Sequence, residues 1–98
     1  MSGDNMWKFA EPPNVATFAS RKIVFGGDWI YYVCHHIDDG AWEFQPHSGM
    51  CTEAEMAVVA LKTIIEIDPS VEELSDLPYG WCAWRENKNA PWQKQPME

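Results

Sequence analysis

The sequence predicts one small α+β domain: an antiparallel sheet of three to four strands with a single main α-helix packed on one face. Three observations carry that expectation. The stretch Asp28–Phe44, DWIYYVCHHIDDGAWEF, is apolar and aromatic on both sides of Asp39-Gly40, and a two-residue hairpin turn needs positive φ at both centres, which Gly tolerates freely and Asp better than most residues. The stretch Glu53–Ile67 repeats apolar residues at helical spacing. At 98 residues the chain is long enough for one modest core and too short for a second domain.

In chain order, Met1–Asn14 holds Gly3, Asp4, Pro12 and Pro13, with Trp7 and Phe9 as apolar anchors. It reads as an irregular arm whose aromatics dock on the sheet. Val15–Ser20 is a short strand, and Gly26-Gly27 ends the turn that follows it. In the hairpin, an Asp39-Gly40 turn pairs Ile37 with Trp42, His36 with Glu43 and His35 with Phe44. One face then carries Trp29, Tyr31, Val33, His35, Ile37, Trp42 and Phe44, an apolar surface that must be covered. The other carries Ile30, Tyr32, Cys34, His36, Glu43 and Gln45, a mixed face partly open to water.

Thr52 with Glu55 three residues later has capping-box spacing, so a helix over Glu53–Ile67 is expected, its stripe of Val58, Leu61 and Ile65 laid across the apolar face of the hairpin. Asp68-Pro69-Ser70 stops it, and Ser70–Ser75 suits a short second helix with acids in its first turn. Trp81–Arg85, WCAWR, is a last strand with Trp81, Ala83 and Arg85 on one face. Residues 87–98, polar and holding Pro91 and Pro96, form a tail anchored by Trp92.

Composition narrows the function. Fifteen acids against seven bases give a formal charge of −8, a field that repels phosphate backbones and anionic lipid surfaces. Nucleic acid and membrane are therefore poor partners. Neither a signal peptide nor a membrane span is evident. Three cysteines in no tight spacing do not make a disulfide framework, which fits a reducing, cytoplasmic setting. Six tryptophans supply either core volume or a recognition surface.

Three constellations could carry chemistry. Cys34, His35, His36, His47, Cys51 and Cys82 offer metal-ligand atoms, but His35 and His36 point to opposite faces of a strand and no CxxC or HxxxH pair exists. No metal and no cofactor are expected. Cys51 lies just ahead of a helix start with His47 four residues earlier, a weak thiol-catalysis signal; with His36 these residues define the alternative reading, a small metal-dependent or thiol enzyme. Finally, Glu66, Asp68, Glu72, Glu73 and Asp76 lie in a stretch free of Lys and Arg. Such a run is commonly a solvated face, and its sharper reading is a docking surface for a basic protein partner.

The series ASRKIV at Ala19–Val24, DDGAWEF at Asp38–Phe44, VVALKTIIEIDPS at Val58–Ser70 and LSDLPYGWCAWR at Leu74–Arg85 resembles a family of small, uncharacterised bacterial domains. Relatives of that family are grouped with immunity proteins of polymorphic-toxin systems. The resemblance spans Phe18–Arg85, and its most specific parts are structural punctuation: the DPS stop, the LP-x-G turn and the strand after it. It implies a compact α+β fold, bacterial origin and a cytosolic binding role, and it transfers no site residues.

The sequence thus points to a non-enzymatic, acidic, cytoplasmic binding protein, of the kind an immunity-type inhibitor represents, with Glu66, Asp68, Glu72, Glu73 and Asp76 as partner-binding residues. A homodimer built on exposed Trp7, Trp84 and Trp92 is a further alternative.

Overall fold

In a computed structural model, which describes residues 7–49 and 51–97, the chain forms one six-stranded mixed sheet. The strands are β1 (Ala16–Ser20), β2 (Ile30–His35), β3 (Trp42–Pro46), β4 (Met56–Ala60), β5 (Trp81–Trp84) and β6 (Gln93–Pro96). Their order across the sheet is β4-β1-β3-β2-β5-β6. Only β1 and β3 run parallel; every other neighbouring pair is antiparallel. Two short α-helices, α1 (Arg21–Val24) and α2 (Leu61–Ile67), and a 3-10 helix at Pro69–Leu74 complete the core.

This corrects the expected fold class, three to four antiparallel strands under one main helix. The error lies in Glu53–Ile67, where only Leu61–Ile67 is α-helical. Glu55 does accept the Thr52 N–H at 3.0 Å, as the capping-box spacing implied, but it closes only a single 3-10 turn, Glu53–Glu55. Met56–Ala60, MAVVA, is instead the edge strand β4, paired along its whole length with β1. Its adjacent β-branched pair, Val58 and Val59, loses rotamer freedom in a helix and fits a pleated surface. The expected tail holds a sixth strand, β6, paired with β5.

The hairpin is correct in its faces and wrong in its register. The observed pairs are Cys34 with Glu43 and His35 with Trp42, a shift of two residues that leaves Tyr32–His35 and Trp42–Gln45 on their expected faces. The shift arises because the turn is wider than two residues. His36 N–H bonds Ala41 O at 2.9 Å, Gly40 N–H bonds His36 O, and Gly40 alone of the turn residues has positive φ, +72°. Ile37, expected inside, is therefore carried out to solvent and is 70 % exposed. A β-bulge between Ile30 and Tyr32 turns Ile30 into the core, against expectation, and leaves Trp29 and Tyr31 half-buried.

The two α-helices and the Pro69–Leu74 helix pack on one face of the sheet. Ile23 of α1, Leu61 and Ile64 of α2, and Val71 and Leu74 of the 3-10 helix meet Ala19, Val33, Trp42, Phe44 and Ala83 from four strands. Phe9 from the N-terminal arm docks edge-on against Trp42, with ring centroids 5.4 Å apart. Glu11 fastens the same arm by accepting the Trp42 Nε1–H at 3.1 Å and lying 3.2 Å from His35 Nε2.

Candidate functional site

Strand alternation assigns the opposite face of the sheet to Phe18, Val58, Met56, Glu43, Gln45, Tyr32, Cys34, His36, Cys82 and Trp84. Register places Val58, Phe18, Glu43, Cys34, Cys82 and Gln95 in one row across all six strands. Neither α-helix nor the Pro69–Leu74 helix packs here, and Phe18 and Val58 are 40 % and 64 % exposed. The loop after β3 rises beside this face and turns it into a groove of about 650 Å³.

Four carboxylates line the groove, Asp38, Asp39, Glu43 and Glu53, beside Phe18, Met56 and Val58; among the described residues no Lys or Arg does. Glu43 is held by its neighbours, since Oε1 lies 2.8 Å from His36 Nε2 and Oε2 accepts from Gln45 Nε2. Asp39 accepts the Ala41 N–H at 3.0 Å. The carboxylates of Asp38 and Glu53 form no hydrogen bond or ion pair among the described residues. A polar chain continues from Gln45, whose Oε1 accepts the Cys51 N–H at 2.9 Å, to Cys51 Sγ, 3.0 Å from Ser20 Oγ. With like charges gathered in a concave, partly apolar wall, the groove concentrates a negative field.

The thiols differ in character. Cys34 and Cys82 are buried and directly opposite each other on β2 and β5. Burial pushes the Cys34 thiol up to about 11, and it raises the Tyr32 hydroxyl as well, with the hydrogen bonds that this hydroxyl donates to Cys82 and Cys34 adding to that rise. A thiol held protonated in this way is a poor nucleophile. Cys51 is half-buried and lines the groove with His36, yet its sulfur contacts Ser20 Oγ and Gly49 O while His36 is engaged by Glu43.

The residues singled out from sequence fall elsewhere. Asp68 is committed within the fold: its Oδ2 accepts from Arg85 Nη2 at 2.5 Å, and its Oδ1 accepts the Ser70 N–H. Asp76 pairs with Lys94 at 3.2 Å. Glu66 and Glu73 are exposed and Glu72 is half-buried, on the helical side of the sheet, opposite the groove. His47 stacks on Trp29 with centroids 4.9 Å apart and lies outside the groove that His36 and Cys51 share. Among the described residues, no three His, Cys, Asp or Glu side chains come together as a metal-holding group.

The three suspected tryptophans are dispersed. Trp7 packs on the core from the arm, Trp92 covers the Arg85 guanidinium at 4.2 Å, and Trp84 lies on the open face. The groove acids were partly visible in the sequence, because the mixed face of the hairpin already held His36 beside Glu43. Asp38 and Asp39 fall in the hairpin turn and Glu53 on the wet side of the expected helix, so neither pattern marks them as a site; the density of acids around the hairpin turn is the signal that would. Among the described residues no helix is long and apolar enough to cross a membrane. Comparison with known proteins yields no match for this chain, whether with protein-family models, curated proteins or solved structures.

Proposed function

We propose that this chain is a non-enzymatic binding protein that engages a basic protein partner through the acidic groove on its open sheet face. One observation carries the reading: among the described residues four carboxylates and no Lys or Arg line a groove of about 650 Å³ whose floor also exposes Phe18 and Val58. Opposite charge steers such a partner in and fixes its register, while the exposed apolar side chains supply area to bury. The net charge of −8 acts in the same direction at longer range. The thiol and imidazole of the groove are each occupied by other partners, which supports binding over nucleophilic catalysis.

An immunity-type inhibitor of a basic toxin is the specific role that joins this groove to the family resemblance, and three free thiols suit a cytoplasmic site of action. Glu66, Glu72 and Glu73 form a second acidic surface for the same class of partner. Asp68 and Asp76 already hold Arg85 and Lys94.

Affinity capture separates the two surfaces. The protein is immobilised as wild type, as Asp38→Asn/Asp39→Asn/Glu53→Gln, and as Glu66→Gln/Glu73→Gln. The expected result is a basic protein retained by wild type and by the helical-side variant, lost by the groove variant, and eluted by about 0.3 M salt as screening shortens the reach of the field. Equal retention by wild type and groove variant would refute the assignment.

A further inference from the structure

The two edges of the sheet are built differently. β6, QKQP, is polar and carries Lys94 and Pro96, residues that discourage pairing with another chain. β4, MAVVA, has no charge, no proline and no glycine. Leu61 N–H donates to Val15 O at 2.9 Å, and the register pairs Val59 with Thr17 and Ala57 with Ala19. Antiparallel pairing alternates, so the backbone groups of Ala57 and Val59 turn toward β1. Val58 N–H, Val58 C=O, Met56 C=O and Ala60 N–H face outward. Met56 N–H is already bonded to Glu53 O.

This open edge is also a wall of the acidic groove. Met56 and Val58 line it together with Phe18, and Glu53 and Glu55, both exposed, stand in the turn that leads into β4. Resting on the function proposed above, we infer that the basic partner presents an extended segment that pairs with Met56–Ala60 as a seventh strand. Alternation in that segment sets one apolar side chain against Val58 and Phe18. The residues two positions away are Lys or Arg, long enough to lie along Met56 and reach the carboxylates of Glu53 and Glu55. Charge selects this occupant over a second copy of the chain, which would bring another net charge of −8 to the same edge.

The test uses the peptide acetyl-Lys-Thr-Val-Thr-Arg-Thr-amide, whose Lys, Val and Arg share one strand face, with isotope-labelled protein, read by amide chemical shifts and hydrogen exchange. Expected are salt-sensitive binding and new protection at the Val58 and Ala60 amides. Methylating alternate peptide nitrogens should abolish binding in one phase and spare it in the other, because only one edge of the peptide faces β4. Val58→Lys, at a side chain 64 % exposed, should weaken binding at least about tenfold without unfolding the protein.

Binding with Val58 and Ala60 unprotected, or equal binding of both methylated phases, would overturn strand pairing and leave the groove reading standing. A version with Glu in place of Lys and Arg that binds equally well would overturn the groove reading itself. A peptide-free species of twice the chain mass, protected at the same amides, would give the edge to a second copy and overturn the inference.

Discussion

Replacing Asp68 with Asn should destabilise this protein far more than a surface substitution, because Asp68 balances a buried cation. The Arg85 side chain is 1 % exposed. Its Nε donates to Ile30 O and its Nη1 to Ser70 Oγ, both at 2.9 Å; Nη2 meets Asp68, and Trp92 stacks over the guanidinium. Asn keeps the shape and an acceptor but removes the charge. Breaking a fully buried ion pair from one side costs about 3–5 kcal/mol. The Asp68 side chain is 20 % exposed, and the bonds to Ile30 and Ser70 survive, which together lower the expected cost to about 2–3 kcal/mol. Asn also caps well, so the start of the Pro69–Leu74 helix adds little to the loss.

In a domain of this size that cost corresponds to a fall in Tm of about 10–20 °C. Urea and thermal unfolding followed by circular dichroism and tryptophan fluorescence measure it directly. Arg85→Met in the Asp68→Asn background should recover part of the loss, since an apolar side chain needs no counter-charge. A cost for Asp68→Asn below about 0.5 kcal/mol, the range of an ordinary surface change, would refute the argument. It would also return Asp68 to the pool of free carboxylates available for docking.

Other expectations follow from the same structure. At about pH 8 iodoacetamide should label Cys51 in the folded protein and reach Cys34 and Cys82 only after unfolding, which peptide mass mapping reads; labelling of Cys34 at the rate of Cys51 would contradict its burial. Because the Cys34 thiol rises from 9.0 to about 11 on folding, the stabilisation it gives is complete below the unfolded value and lost as pH climbs through the folded one. Urea midpoints should therefore fall across that window, and less steeply in Cys34→Ala. Ile64→Ala, in α2 at the centre of the core, should cost about 2–5 kcal/mol by urea unfolding. Glu11→Ala should cost about 1 kcal/mol by releasing the Trp42 Nε1–H, and should increase the exposure of the arm to limited proteolysis.

What could be read from the sequence divides along physical lines. Alternation over Tyr32–His35 and Trp42–Gln45 is local and has period two, so a two-residue register shift left the faces of both strands intact. The same holds for Trp81–Trp84, whose position and faces were as expected. Met56–Ala60 failed because five apolar residues ahead of a true helix satisfy either period, and pairing with β1, some forty residues away, decides between them. β6 was missed because a polar edge strand has no apolar alternation to detect; its pairing with β5 determines it. Arg85 was placed on the correct face, while its ion pair with Asp68 depends on the 3-10 helix folding back over β5. The groove exists only when β4, β1, β3 and the loop after β3 come together, so no single segment announces it.

The central parallel pair has a consequence for how the chain acquires its fold. β1 leaves synthesis first, yet its neighbours β3 and β4 lie some twenty-five and forty residues downstream. Until Trp42–Pro46 is made and aligned, Ala16–Ser20 has no strand to join. The β2–β3 hairpin can close early because its contacts are local, whereas β1 must wait and β4 must wait for β1. β4 accordingly joins the sheet after β1, and a chain that stalls before that point exposes β1 and β4 as separate sticky strands. Refolding followed by pulsed hydrogen exchange should protect Cys34 and Glu43, whose amides turn toward each other across the hairpin, before Val59.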